Sequence, residues 1–321
     1  MTPRGQGGLR MIPRRLVVTG SVMVDILLYL DALPSPGGAA NARRALVTPG
    51  AGYNLLAAAS RLGLPAAYAG LTGEGPFGTL VRQALNALGV PVLLAPRTDA
   101  DTGFDVGLVE ASSGGQPTFL GAPGVESRLA AADLRAVALA DGDAVYLSGY
   151  DLWYPEAGAA LTEWAGGLGP GCLQVFDPGP LAGQLDASRL EASLARADIL
   201  SLNLAEAAAI AGDHDPPALA TGLARRLPVT GWVILRAGPD GCWICRRGAG
   251  PRHVPARPAT PVDTTGAGDV HVAALLALLS AGHGMAEAAW GANAAASLAV
   301  EREGPAASPT ASELAQAMAG M

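Results

Sequence analysis

From position 131 onward, apolar runs and amphipathic runs alternate with little interruption. AADLRAVAL reads as a helix, DAVYLSG as a strand, EAGAALTEWAG as a helix, CLQVFD as a strand, ASRLEASLARA as a helix and DILSLN as a strand. Helices near 203–211 and 219–226 lead to the strands GWVILRAG and CWICRR, and the chain closes with the helical runs VHVAALLALLSAG, AAWGANAAASLAV and SELAQAMAG. Uniformly apolar strands separated by helices predict an α/β fold, a mostly parallel sheet covered by helices on both faces. The N-terminal part follows the same rule. A strand at Leu16–Thr19 is followed later by PGAGYNLLAAASRLG, a glycine turn into an Ala/Leu helix with Gly63 at its C-cap. PAAYAGLTG is the next strand, and GEGPFGTLVRQALNALGV opens another helix.

Two stretches break the alternation. ILLYLDALP and ARRALVT flank the Pro/Gly-rich turn PSPGGAAN, and FDVGLVE and PTFLG flank SSGG. Both pairs predict hairpins. Segments 26–47 and 103–121 together predict a small β lid over a site, which would exclude water. Both carry apolar residues on both strand faces, more than a small sheet with one wet face tolerates. No linker-like stretch divides the chain, so 1–321 is expected to form one domain with the lid inserted in it.

Composition narrows the function. Half the residues are apolar, only 15% are charged, and the net charge is -7. An acidic chain without an arginine cluster offers no surface for nucleic acid or an anionic membrane. All 21 basic residues are arginine, which removes the P-loop lysine, the strand lysine of protein kinases and any lysine Schiff base. Any phosphate must therefore be handled by backbone amides, arginine and metal. The longest apolar run, near 270–281, is short of a bilayer span, and the basic N-terminus lacks a following apolar stretch with a cleavage site, so a cytoplasmic protein is expected. Three cysteines make no disulfide framework; Cys242 and Cys245 lie three apart on a strand, hence on opposite faces, which argues against a metal site.

The chemistry concentrates in Thr264–Asp269, TTGAGD, between an extended Pro/Val segment and an apolar helix. At a helix N-terminus the first amides lack intrahelical partners and the dipole is positive, so Gly266, Ala267 and Gly268 can present bare N–H groups to an anion. Asp269 beside such a cradle suits a base that takes a proton from an attacking hydroxyl, the chemistry of phosphoryl transfer. The plain alternative is an ordinary glycine turn with a dipole-favoured Asp. A rival motif is Gly73-Gly75-Gly78, a literal GxGxxG, but Pro76 sits inside it and no acid follows at the end of a second strand. Polar residues at predicted strand ends are Asp25, Asn54, Asp177, Asn203, Glu206 and Arg236. Asn203 and Glu206 fit either a helix capping box or a water-mediated Mg²⁺ contact.

These motifs resemble the PfkB-type, ribokinase-like carbohydrate kinases over nearly the whole chain. The family's DTxGAGD core is matched by Asp263–Asp269, its GGxxxN in part by PGAGYN, its NxxE by Asn203–Glu206, and its early sugar-binding aspartate by Asp25. The resemblance implies an ATP-dependent kinase acting on a sugar or nucleoside hydroxyl, with Asp269 as base, residues 266–268 as anion hole, and Asp25, Gly50 and Asn54 on the sugar. It places Asn203, Arg236, Gly238, Gly241 and Asn293 around the nucleotide, and Glu206 at Mg²⁺ through water. Asp263, Thr265, Gly304 and Ser308 match positions that help form a monovalent-cation site, hence K⁺. Related lids often pair between subunits, which implies a homodimer through the lid. Departures fall at Pro49, Met23, Arg236, His271 and the strand end YLSGY, which lacks an expected glutamate. Two other readings stay open: a nicotinamide-dependent oxidoreductase built on Gly73, Gly75 and Gly78, and a catalytically silent sugar-binding protein.

Overall fold

The computed structural model describes residues 9–110, 117–304 and 307–319. The first residues of the basic N-terminus, the SSGG turn and the final glycine of SELAQAMAG lie outside them. The chain begins with β1 (Arg15–Val18), β2 (Val24–Leu30), β3 (Arg44–Pro49), α1 (Gly52–Arg61), β4 (Ala66–Tyr68) and α2 (Pro76–Ala87). Next come β5 (Phe104–Glu110), β6 (Pro117–Ala122), α3 (Ala131–Ala136), β7 (Asp143–Ser148), α4 (Gly149–Trp153), α5 (Pro155–Gly166), β8 (Leu173–Asp177) and α6 (Ala187–Arg196). The last part holds β9 (Ile199–Asn203), α7 (Leu204–Ala211), α8 (Pro216–Ala224), β10 (Trp232–Arg236), β11 (Cys242–Arg246), β12 (Arg252–Val254), α9 (Ala267–Ser280), α10 (Met285–Val300) and α11 (Ala311–Ala319).

Eight strands form the main sheet in the order β12-β11-β10-β9-β8-β7-β1-β4. Every pair from β4 to β10 is parallel, and β11 and β12 add antiparallel. Successive residues of a strand point to opposite faces, and the two cores follow that alternation. Leu16, Val18, Val175 and Ile234 pack on the side of α1, α9 and α10. Val17, Val145, Phe176, Val233 and Leu235 pack on the side of α5, α6 and α8. Cys242 belongs to the first core and Cys245 to the second, so the CxxC is split by the sheet and both thiols are free. Among the described residues no helix is long and apolar enough to cross a membrane.

Helix α9 is apolar on nearly every side because it runs through the interior between α1 and α10. Its N-terminus therefore opens at the carboxyl ends of the parallel strands. Helix α8 starts earlier than its apolar pattern suggested, at Pro216, since Asp215 accepts from the Ala218 amide at 3.0 Å and proline suits the first helical turn. The short α4 was not anticipated. Ser148 caps it, accepting from the Tyr150 amide at 3.2 Å.

The two expected hairpins form one four-stranded sheet, ordered β3-β2-β5-β6. They join through β2 and β5, which pair in parallel over seven residues from Val24↔Phe104 to Leu30↔Glu110. The sheet is anchored at its base, where the Val24 amide donates to the Gly103 carbonyl at 3.1 Å and the Gly50 amide to the Met23 carbonyl at 2.9 Å.

Tyr68 ties β4 to the turn that launches β2. Its hydroxyl accepts from the Val22 amide at 3.2 Å and donates to the Leu71 carbonyl at 3.2 Å, all within the buried interior. Tyr68→Phe should leave both backbone groups unpaired in the core and cost about 1–3 kcal/mol. Urea unfolding would check this, and an unchanged midpoint would show that neither hydrogen bond contributes.

Candidate active site

The loop into α9 turns on Gly266, whose φ of 74° lies in the left-handed region that favours glycine. Asp263 holds this loop. One carboxylate oxygen accepts from the Thr265 amide at 2.9 Å and the other from the Gly304 amide at 3.1 Å. Asp263, Thr265 and Gly304 are thus gathered in one place. Ser308 is buried with its hydroxyl unpartnered, while its carbonyl accepts from Arg302 at 3.4 Å. No side chain caps α9. The expected cradle needs one correction: the Ala267 amide turns back onto the Thr264 carbonyl at 3.2 Å, so of the helical residues in the cradle it is Gly268 whose amide is left without a partner.

Arg236, at the end of β10, packs its guanidinium under this turn. A Cβ on Gly268 would lie 3.1 Å from Arg236 Nη1, a tighter contact than side chains usually make, so glycine gives the arginine room here. Nη1 donates to Asp177 Oδ2 and Ser201 Oγ, each at 3.0 Å, and Nη2 donates to Glu206 Oε2 at 3.4 Å. Of the two local readings of Asn203 and Glu206, the side chains display the capping box. They form a reciprocal capping box on α7, Glu206 accepting from the Asn203 amide at 2.7 Å and Asn203 accepting from the Glu206 amide at 2.9 Å, while Glu206 also faces Arg236.

Asp269 sits in the first turn of α9, open to the cleft on one side and enclosed by protein on the others. Burial, and then the Asp177 carboxylate, push it up to about 7, against the pull of Arg236 and of a hydrogen bond from Asn54. Asn54 is buried on α1 and its Oδ1 has no partner. His271, one turn into α9, is held down to about 3 by burial and Arg236, so it is neutral. Its Nε2 lies 3.0 Å from Asn293 Oδ1, and Asn293 in turn donates to the carbonyls of Val254 and Pro255 at 2.9 and 3.1 Å.

Two clefts meet at this point. The larger, about 660 Å³, is lined by Asn203, Arg236, Gly238, Gly241, His271 and Asn293, with the Pro-rich loop 256–261 along its rim. The smaller, about 230 Å³, lies towards the lid and includes Ser21, Gly52, Tyr150, Asp151, Asp177 and Asp269. They share Arg236, Thr264, Ala267 and Gly268. Asp25 stands at the lid end, packed so closely on Gly50 that any Cβ there would overlap its carboxylate. Burial and the neighbouring Asp105 push Asp25 up to about 7. Sequence reasoning passed over Asp105, Tyr150 and Asp151. Asp151 had a local signal, an acid just past the strand end YLSGY, whereas Asp105 looked like any polar residue on an alternating strand.

The family model for pfkB family carbohydrate kinases matches residues 13–311. The chain belongs to that family. A sugar kinase of Escherichia coli (strain K12), YegV, is 31% identical over 302 residues, covering 93% of this chain and 92% of its own. An ATP-dependent ribose-1-phosphate kinase of Halopiger xanaduensis is 28% identical over 303 residues, covering 94% and 97%. Among solved structures, the ribokinase of Thermotoga maritima superposes with a TM-score of 0.79 at 23% identity, covering 96% of this chain and 100% of its own. The fold is ribokinase-like, and the protein is a carbohydrate kinase of an ATP-using family, a phosphotransferase.

Membership overturns the oxidoreductase reading, and the local geometry agrees. Gly73, Gly75 and Gly78 open α2, but Asp101 already accepts from the Phe77 and Gly78 amides at 2.9 Å each. Those glycines admit the chain's own carboxylate where a pyrophosphate would have to lie. Magnesium poses a different question. Glu206 has both oxygens engaged by Asn203 and one also facing Arg236, and among the described residues no three His, Cys, Asp or Glu side chains group as metal ligands. A phosphate-borne Mg²⁺ fits here only through water, the mode that ion favours.

The raised Asp269 makes a stability prediction with a definite sign. The folded protein holds a proton on this carboxyl that the unfolded chain releases between the ordinary carboxylate range and about 7. Stability is therefore lost as pH rises through that window. Asp269→Asn removes the buried charge and should be more stable than the wild type at pH 8, with a smaller advantage at pH 5. Thermal unfolding at the two pH values checks this, and an equal difference at both would contradict it.

Proposed function

We propose that this pfkB family member transfers the γ-phosphoryl group of ATP to a hydroxyl of a sugar or sugar-containing nucleoside held under the lid. The observation that carries the reading is the meeting of the two clefts at the N-terminus of α9, with Asp269 on the acceptor side only. ATP would lie in the larger cleft against Asn203, Gly238, Gly241 and Asn293. The acceptor would lie between Asp269 and the lid, against Asp25, Gly50 and Asn54.

In this arrangement Asp269, ionised, takes the proton of the attacking hydroxyl. Its value near 7 matches the operating range of a general base. The Gly268 amide and the positive end of α9, reached over the Gly266 turn, hold charge on the transferred group as the anion hole. Arg236 lies directly behind Gly268 and supplies the positive charge that lysine provides elsewhere. Bound Mg²⁺ would neutralise phosphate oxygens, reached through water from Glu206 and Asp177. Asp263, Thr265, Gly304 and Ser308 would hold a K⁺ ion beside the loop, where it would stiffen the anion hole.

The lid would also pair two copies. On the face away from Asp25, one register row runs Val47, Ile26, Val106, Leu120. Val47 and Leu120 are 50% and 60% exposed. A continuous apolar row at a sheet surface is the pattern that a two-fold lid-to-lid contact buries.

Three measurements test this reading. Asp269→Asn should lower kcat by roughly 10²–10⁴ while calorimetry shows ATP binding retained; a variant within a few-fold of the wild type would remove Asp269 as the base. The kcat/KM of the wild type should rise with pH through about 7 and then level, as an ionised base requires. Light scattering at micromolar concentration should give a dimer mass; a monomer mass would mean the outer lid face is not an interface.

A further inference from the structure

The lid carries a second carboxylate beside the first. Asp25 and Asp105 are direct partners in the parallel β2–β5 pair, in a register row that reads Thr48, Asp25, Asp105, Gly121. Residues in one row share a face, and like charges directly opposite each other are destabilising. Gly121 closes the row without a side chain, and a Cβ there would come within 2.8 Å of Asp105 Oδ1. Asp25 is only 8% exposed and neither carboxylate has a hydrogen-bond donor among the described residues. Burial raises both, and no positive group offsets it at either.

The lining of the smaller cleft repeats the pattern. Asp151 is 4% exposed; its Oδ1 accepts from the Ser21 amide and hydroxyl at 2.8 and 2.5 Å, but its Oδ2 is buried without a partner, next to Gly20 at the cleft wall. Asn54 Oδ1 is a further buried acceptor without a donor. Tyr150 lines the same cleft, close enough to feel both Asp105 and Asp269. No cation in this set is free. Arg236 lines the same cleft, but its guanidinium is committed to Asp177 and Glu206. On the Asp25 face of the lid, Arg44 lies two rungs further along, paired with Glu303 and placed over Tyr29. The pocket is therefore rich in unpaired acceptors and has no cation free to receive a phosphate.

We propose that Asp105 is an acceptor-specificity residue: with Asp25 it selects an unphosphorylated acceptor that donates hydrogen bonds to the lid, from hydroxyl or ammonium groups, and it excludes sugar phosphates. The proposal rests on the reading of the lid-side cleft as the acceptor site. A bound donor relieves one buried and one half-buried carboxylate at once, whereas a phosphate adds further negative charge in the same space. Specificity of this kind is set by repulsion of the wrong ligand as much as by attraction of the right one.

The test pairs ribose with ribose 1-phosphate and ribose 5-phosphate, fructose with fructose 6-phosphate, and glucose with glucosamine. ADP release is measured for the wild type, Asp105→Ala and Asp105→Asn, and acceptor binding by calorimetry with a non-hydrolysable ATP analogue. The wild type should favour the unphosphorylated member of each phosphate pair by about 100-fold, as like-charge juxtaposition implies. Asp105→Ala should raise acceptor KM about 10-fold, the loss expected for one charge-assisted hydrogen bond, with kcat within about threefold. Both variants should narrow the discrimination against phosphates, and Asp105→Asn, which still accepts a hydrogen bond, should regain part of the lost affinity. The glucosamine arm tells ammonium donors from hydroxyl donors. Preference for a sugar phosphate by the wild type, or unchanged discrimination in both variants, overturns the proposal. Selective acceptor binding without ADP release would uphold it while removing the proposed phosphoryl transfer to these acceptors, so the two failures are distinguishable.

Discussion

A single buried guanidinium organises the catalytic end of the sheet. Arg236 leaves β10 and takes hydrogen bonds to Asp177 from β8, Ser201 from β9 and Glu206 from α7, while Gly268 of α9 closes over it. Burying a charge is costly unless it is paired, and removing one partner leaves the others uncompensated. The four elements are therefore locked together by a constraint that none could satisfy alone. In a chain without lysine, this one residue both fixes the carboxyl ends of three neighbouring strands and puts positive charge behind the uncapped helix.

That charge also sets the tone of its surroundings. Asp177 is near enough to disfavour the ionisation of Asp269, and Arg236 and Asn54 work against that effect. His271 is kept neutral by burial and the same arginine, which leaves it as a hydrogen-bond partner of Asn293 rather than a competing cation. The two clefts consequently differ in character. The larger shares Arg236 with the smaller and adds Arg257, His271 and Asn293, while the smaller presents the buried Asp151 oxygen that lacks a donor. A substrate that brings donors is the group that balances it.

The anchoring of the lid connects this chemistry to the fold. Tyr68 and the backbone bonds at Ser21, Met23 and Gly103 hold the turn from which β2 rises, and the same turn presents Ser21 to Asp151. The base of the lid is thus tied to the wall of the smaller cleft through a few buried hydrogen bonds. The apolar row on its outer face and the acidic row on its inner face belong to the same four strands, and the strict two-residue period of a strand keeps them apart.

Much of this was legible without coordinates, because it depends on local order. Apolar strands separated by helices dictate a covered parallel sheet, and TTGAGD before an apolar helix dictates an exposed helix N-terminus with an acid in its first turn. The split of Cys242 from Cys245 followed from the same two-residue period. The join of the two hairpins did not, since parallel pairing of β2 with β5 links segments about eighty residues apart with no shared turn to announce it. For that reason Asp105 looked like a solvated strand residue until its register partner proved to be Asp25. The engagement of the Ala267 amide, the convergence of Asp177 and Glu206 on Arg236, and the orphaned oxygen of Asp151 are likewise distances between elements. Residue order determined which elements form and where an anion can be met; only tertiary packing decided which charges are left unpaired, because pairing is a property of side chains brought together from distant parts of the chain.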